Sequence, residues 1–266
     1  GDEIPLTNAD WVIRPLKMIA DLGLSEVIVV NDFEAQALAL PGLGGGDIKQ
    51  IGGGSIRPSA TKFVLGPGTG LGAGALVNAA DTWVPVPGEG GHVELGPVTE
   101  EDYLIWPHID RTGGRIGAEQ ILSGTGLPRL SRAVSAFMNS DRMFDSGADL
   151  TEAAQAGDDV AVRTMKVFAR ALGRVAGDFA LTLLAQGGIY LTGGVTRHVS
   201  QFLTDDDFRS SFEAKAPHEE LMRSIPTFIV EHPNPALEGL AAFARTPSRF
   251  AVDVTGRRWR APNKTA

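Results

Sequence analysis

The run GPGTGLG at residues 66–72, entered through Phe63, Val64 and Leu65 and left through Ala73, Gly74, Ala75, Leu76 and Val77, constrains the fold more than any other stretch of this chain. Short apolar runs on both sides of a glycine turn predict strand, tight turn, strand. The residues after the turn stay small and apolar instead of opening a helix. An anion bound here would therefore meet the backbone N–H groups of a β-hairpin, which glycine leaves open to close approach. Thr69 adds a hydroxyl donor at the tip. A plain hairpin without a ligand is the alternative, and the turn alone does not decide between them.

Around the hairpin the pattern is α/β. Residues 26–30 carry four β-branched side chains in succession, Val27, Ile28, Val29 and Val30, and predict a strand buried on both faces, as in a central parallel sheet. Before it, residues 10–20 predict a short helix with Asp10 as N-cap or Pro15 as its true start, stopped at Gly23. After it, residues 33–40 predict a helix closed by Pro41, and the glycine-rich segment 41–54 reads as a hinge or domain boundary. Strands and turns are expected from 63 to 93, with modest helices over 131–138 and 151–156. The strongest helix spans 159–184, where Met165, Phe168, Leu172, Val175, Ala176, Phe179 and Leu183 recur at helical spacing as a core stripe. Gly187 and Gly188 stop it, and a short strand over 189–192 runs into Gly193 and Gly194.

Composition narrows the function classes. The 266 residues, 43% hydrophobic, can bury one large core or two modest ones. Acidic residues outnumber basic ones by 32 to 24, and no basic cluster occurs outside Arg257, Arg258 and Arg260 around Trp259, which argues against a nucleic-acid surface. Zero cysteines exclude disulfides, thiolate catalysis and cysteine-bound zinc, and fit a cytoplasmic location. No apolar run approaches the ~18 residues of a membrane helix, and no basic-then-apolar leader opens the chain.

The candidate chemistry sits at strand ends. Asp32 follows a predicted buried strand, where open α/β sheets bind ligands; it is a candidate base, with a helix N-cap as the alternative. Glu89 lies between glycines with His92 three residues on, a pair suited to contacting ligand hydroxyls. Glu119 precedes a short apolar run and, taken alone, reads as solvent-facing. Together Asn31, Asp32, Glu89, His92 and Glu119 offer many acceptors and few cations, which suits a neutral polyhydroxylated sugar; a phosphorylated or carboxylate substrate calls for arginines. Two glycine turns, at 66–72 and at Gly193-Gly194, give places for a nucleotide, and sugar plus nucleotide indicates a sugar kinase.

Five segments in order, VVNDF at 29–33, GPGTGLG at 66–72, PGEGGHV at 87–93, AEQILSG at 118–124 and LTGGV at 191–195, resemble the motif set of bacterial-type ATP-dependent glucokinases. The resemblance covers nearly the whole chain to about Arg245, and Leu6, Thr7 and Asn8 before Trp11 resemble the segment ahead of the family's first long helix. It implies the actin-like ATPase (ribonuclease H-like) α/β fold, two α/β domains around a cleft and a homodimer. It places a partial small domain at 1–42 with 232–246, a large domain at 43–231 and a tail at 247–266. The related repressor/open-reading-frame/kinase family carries a cysteine-rich zinc motif, which cannot exist here.

By resemblance, Asp32 is the general base on the glucose 6-hydroxyl, and Asn31, Glu89, His92 and Glu119 hold the sugar. Gly66, Gly68, Thr69 and Gly70 meet the ATP phosphates, Gly193 and Gly194 pass the adenosine, and Mg²⁺ bridges the phosphates with no protein metal site assigned. The family's opening Asp-x-Gly-Gly-Thr-type loop has no counterpart here. The small domain is therefore expected to be incomplete at its N-terminus, with sheet edge and apolar surface exposed. A catalytically inactive sugar-binding fragment and a kinase for another hexose are the alternative readings.

Overall fold

A computed structural model describes residues 1–6, 10–203 and 205–262, the side chain of Asp205 aside; the expected pre-helix segment at Thr7 and Asn8 lies outside them. In chain order the strands and helices are β1 (Ile4–Pro5), β2 (Val12–Ile13), α1 (Pro15–Leu22), β3 (Glu26–Ile28), α2 (Asp32–Ala39) and β4 (Ile48–Gly52). The hairpin region follows as β5 (Lys62–Pro67), β6 (Leu71–Ala79) and β7 (Thr82–Gly88). Next come α3 (Glu100–Ile105), α4 (Gly126–Phe137), α5 (Gly147–Gln155), α6 (Asp159–Leu183) and β8 (Ile189–Leu191). The chain closes with α7 (Gly194–Val199), α8 (Ser210–Glu213), α9 (Glu219–Ser224), β9 (Thr227–Val230), α10 (Pro235–Arg245) and β10 (Arg258–Arg260).

Six strands form one mixed sheet in the order β4-β9-β8-β5-β6-β7. β5, β8 and β9 run parallel, and β5, β6 and β7 form an antiparallel meander. Period-two alternation sorts its side chains into two cores. Phe63, Leu65, Ile189, Leu191 and Ile229 face the cluster built on α4, α5 and α6, while Val64, Tyr190, Phe228 and Val230 face the one that holds α2. The expected α6 stripe is buried from Met165 to Ala176, with Phe179 and Leu183 packed at its edge.

Two expectations change and one alternative is decided. Of the two helix starts expected, Pro15 holds and Asp10 does not: the locked φ of Pro15 suits a first helical turn, and residues 12–13 pair with β1. Residues 26–30 do not enter the six-stranded sheet: β3 is half-buried and pairs antiparallel with β10, with Trp259 opposite Val27. An apolar run reports burial, and its ladder partner came from a tail more than two hundred residues away in sequence. Segment 41–54 is not all loop, since β4 adds an antiparallel edge to β9. Its Ile48 and Ile51 supply the apolar side that glycine-rich composition hides.

Helices α2 and α10, expected in the smaller unit, lie together on the second face of the sheet. They approach closely enough that a Cβ at Gly239 would come within 1.8 Å of the Ala35 carbonyl oxygen. The tail continues this layer. Phe250 is buried and meets Phe243 edge-on at 6.2 Å, and Ala251 N–H donates to the Trp83 carbonyl at 2.8 Å.

Candidate active site

The ends of β5 and β8, the start of α2 and the loop after β7 meet at one cavity of about 610 Å³. Asn31, Asp32, Glu89 and Glu119 line it, as do the glycine-turn residues Gly66, Gly68, Thr69 and Gly70 and, against the Pro67 backbone, Gly193. His92 and Gly194 are not in the lining. His92 stands behind Glu89, with Nε2 3.7 Å from Oε2, and Gly194 opens α7 next to Gly193. Among the described residues, no Lys or Arg lines this cavity. A second cavity of similar size lies along α6, where Arg163 reaches Glu101 at 2.5 Å and Arg170 bonds the same carboxylate, its Nε left without a hydrogen-bond partner among the described residues.

Local chemistry fixes each group. Asn31 is the N-cap of α2: its Oδ1 accepts the N–H groups of Phe33 at 2.9 Å and Glu34 at 3.2 Å, while Glu34 Oε2 accepts Asn31 N–H at 3.3 Å in a reciprocal capping box. The cap role thus falls to Asn31, and Asp32 is free of it at the first helical position. Asp32 is exposed, and its Oδ1 accepts Phe33 N–H at 3.0 Å. Its Oδ2 has no hydrogen-bond partner among the described residues, so one carboxylate oxygen faces the cavity unengaged. The helix start directs positive amide dipoles at both side chains.

Across the cavity the glycine turn is held from two sides. Gly68 N–H closes on the Gly70 carbonyl at 2.8 Å, and the Gly68 carbonyl accepts Gly124 N–H at 2.7 Å. Glu119 Oε2 accepts Leu71 N–H at 2.9 Å and lies so near Gly70 that a Cβ there would come within 2.5 Å of it. Glu119 is therefore half committed to the turn, not solvent-facing, and Oε1 is left toward the cavity. Glu89 is the freest of the acids, with 91% of its side chain exposed.

Of the lining residues that the sequence reading did not assign, two bear on the site. Gln36 stands one turn after Asp32 on the same face of α2 and accepts the Thr192 hydroxyl at 2.9 Å, tying the helix to the end of β8; the i, i+4 spacing was the available signal. Phe33 lays its ring over the cross-strand pair Gly66 and Gly72. A Cβ would come within 2.5 Å of the ring at position 66 and 1.8 Å at position 72. These two glycines thus have a packing reason beside the expected ligand one.

The family model described as Glucokinase matches residues 1–247. The chain is similar to a glucokinase of Sinorhizobium fredii, 56% identical over 261 residues, which cover 98% of this chain and 77% of that protein. It is equally similar to one of Rhizobium meliloti, 56% identical with the same shares covered. Among solved structures, the crystal structure of glucokinase from an Antarctic psychrotroph matches with a TM-score of 0.85 and 28% identity, covering 92% of this chain and 77% of that one.

Proposed function

The chain belongs to the glucokinase family, and from that premise we propose that its cavity holds glucose against Asn31, Asp32, Glu89, His92 and Glu119 and the phosphates of ATP against the turn 68–70. The protein is an ATP-dependent glucose kinase with the actin-like ATPase fold. What the proposal adds is the work of each residue. The observation that carries it is the convergence of Asp32, Glu89 and Glu119 with the glycine turn on one cavity whose lining, among the described residues, holds no Lys or Arg.

Asp32 is the general base. As the glucose 6-oxygen bonds to the γ-phosphorus and the bond from that phosphorus to ADP breaks, the hydroxyl proton passes to the unengaged Oδ2 of Asp32. A positioned base contributes ~10²–10⁴-fold; alignment and charge neutralisation supply the rest. Asn31 presents its Nδ2 donors to the sugar because Oδ1 is spent on the helix cap. Glu119 accepts a sugar hydroxyl on Oε1 while Oε2 holds the turn, which couples the two ends of the cavity. Gly193 and Gly194 pass the adenosine.

Mg²⁺ bound with ATP would supply charge neutralisation at the phosphates. Among the described residues no three ligating side chains cluster as a metal site, so no protein ligand is assigned to it. The domain division at 1–42 with 232–246 against 43–231 belongs to the same proposal, with one refinement: α2 and α10 share the sheet's second core, so the part that closes is residues 1–28 with β10. A homodimer in the cytoplasm completes the reading, and light scattering of the purified protein tests the dimer.

The deciding experiment is formation of glucose 6-phosphate from ATP and glucose by the protein and by Asp32→Asn. The variant is expected to lose at least ~10²-fold in kcat with its fold intact. Turnover within tenfold of the unmodified protein would remove Asp32 from the base role.

A further inference from the structure

Residues 248–262 lie beyond the part matched by the family model, yet they reach the helix that carries Asp32, at Glu34. Anchored at Phe250 and Ala251, the segment runs on to Arg257, whose guanidinium grips Glu34 with both arms: one nitrogen donates to Oε2 at 2.6 Å and the other to Oε1 at 3.3 Å. The second nitrogen also donates to the Asp253 carbonyl, which fixes the fork within its own loop. The Glu34 side chain is only 1% exposed, and among the described residues Arg257 is its one cation within bridging distance. The same Glu34 oxygen that meets Arg257 also accepts Asn31 N–H at 3.3 Å.

We propose that Arg257 is a positioning residue for the glucose end of the site, acting through Glu34 on Asn31 and Asp32. This inference rests on the reading that those two residues bind glucose. A carboxylate buried this deeply is held in place by its cation, and removing one partner of such a pair leaves a charge that must find water or a proton. Either escape pulls Glu34 away from Asn31 N–H and opens the capping box. The chain then turns into α2 by a different path, and the Asn31 amide and the Asp32 carboxylate shift together. Because a displacement of about 1 Å at a reacting centre can cost ~10²-fold, a contact on the far side of the helix start can govern the chemistry. A lysine cannot reproduce the two-armed grip.

The test is steady-state kinetics of Arg257→Met, Glu34→Gln and the double variant, beside Asp32→Asn, with melting temperatures recorded for all. Arg257→Met is expected to lower kcat/KM for glucose by about tenfold or more while KM for ATP stays within twofold, a split that general loosening of the fold does not produce. Glu34→Gln is expected to do the same, and the double variant to fall no further than the worse single one. If Arg257→Met does not fold, Arg257→Lys carries the test, with an intermediate loss in kcat/KM for glucose. The proposal is overturned if a folded Arg257 variant keeps kcat/KM for glucose within twofold, or if the two single losses multiply in the double. If instead Asp32→Asn keeps its turnover, the reading of the site fails, and the Arg257 result reports separately on the tail.

Discussion

Phe33 and the glycines beneath it form the tightest residue-level constraint on the site. Its N–H serves Asn31 and Asp32 at once, and its ring covers Gly66 and Gly72, neither of which has a left-handed φ, so space and not backbone freedom demands glycine there. Gly72→Ala drives a methyl to within 1.8 Å of the ring, and overpacking of this kind costs about 1–3 kcal/mol. We expect that loss in urea unfolding, with kcat/KM for glucose reduced because Asp32 moves with the ring. In a Phe33→Ala background the same methyl has room, so its stability cost should vanish; equal costs in both backgrounds would show that the ring does not meet the glycine. Asp32 and Glu89 were legible from residue type and glycine context. That Gly66 faces Gly72 under an aromatic ring was not, because the sequence displays each glycine but not the register that pairs them.

At the scale of elements, β5 carries a cost of its own. Lys62 is 3% exposed, donates to the Pro58 carbonyl at 2.8 Å and lies over the Trp83 ring at 5.0 Å, with no carboxylate partner among the described residues. Burial pulls its ammonium down from the ordinary 10.5 to about 8. The unfolded chain then binds the proton more tightly, so the group's contribution to stability rises with pH between about 8 and 10.5 and is wholly unfavourable below that window. The gap amounts to up to about 3 kcal/mol. Lys62→Met should therefore be the more stable protein at pH 7, and its advantage should shrink as pH is raised through 8 to 10; a pH-independent difference would refute the assignment. The hairpin was legible because apolar runs flank its glycine turn on both sides, and the long helix α6 because its period repeats over enough residues. β3 and β4 were misjudged because a three- or five-residue strand records burial and not who lies beside it.

Over the whole molecule, burial divides the chain into parts of unequal firmness. α6 buries fourteen of its residues, whereas α1 buries only Pro15 and Ile19, its Leu16 and Leu22 stand exposed and so does Trp11 before it. α2 resembles α6 in this respect, with Ala35, Ala37, Leu38 and Ala39 buried, whereas α10 buries only Gly239 and packs on α2 at its edge. Local opening free energies follow such differences. Amides of residues 10–28 and of β10 are therefore expected to exchange with solvent much faster than those of α6 and β5, with α2 grouped with the slow set. Glucose with a non-hydrolysable ATP analogue should slow exchange in residues 10–28 if they close over the cavity, and at Leu71, whose N–H already binds Glu119, in either case. Exchange in residues 10–28 as slow as in α6 without ligand would make them part of one rigid body with the sheet. The closing movement would then have to lie in the loops that carry Glu89 and Thr69, a smaller displacement that leaves α2, and with it Asp32, where the apo geometry has it.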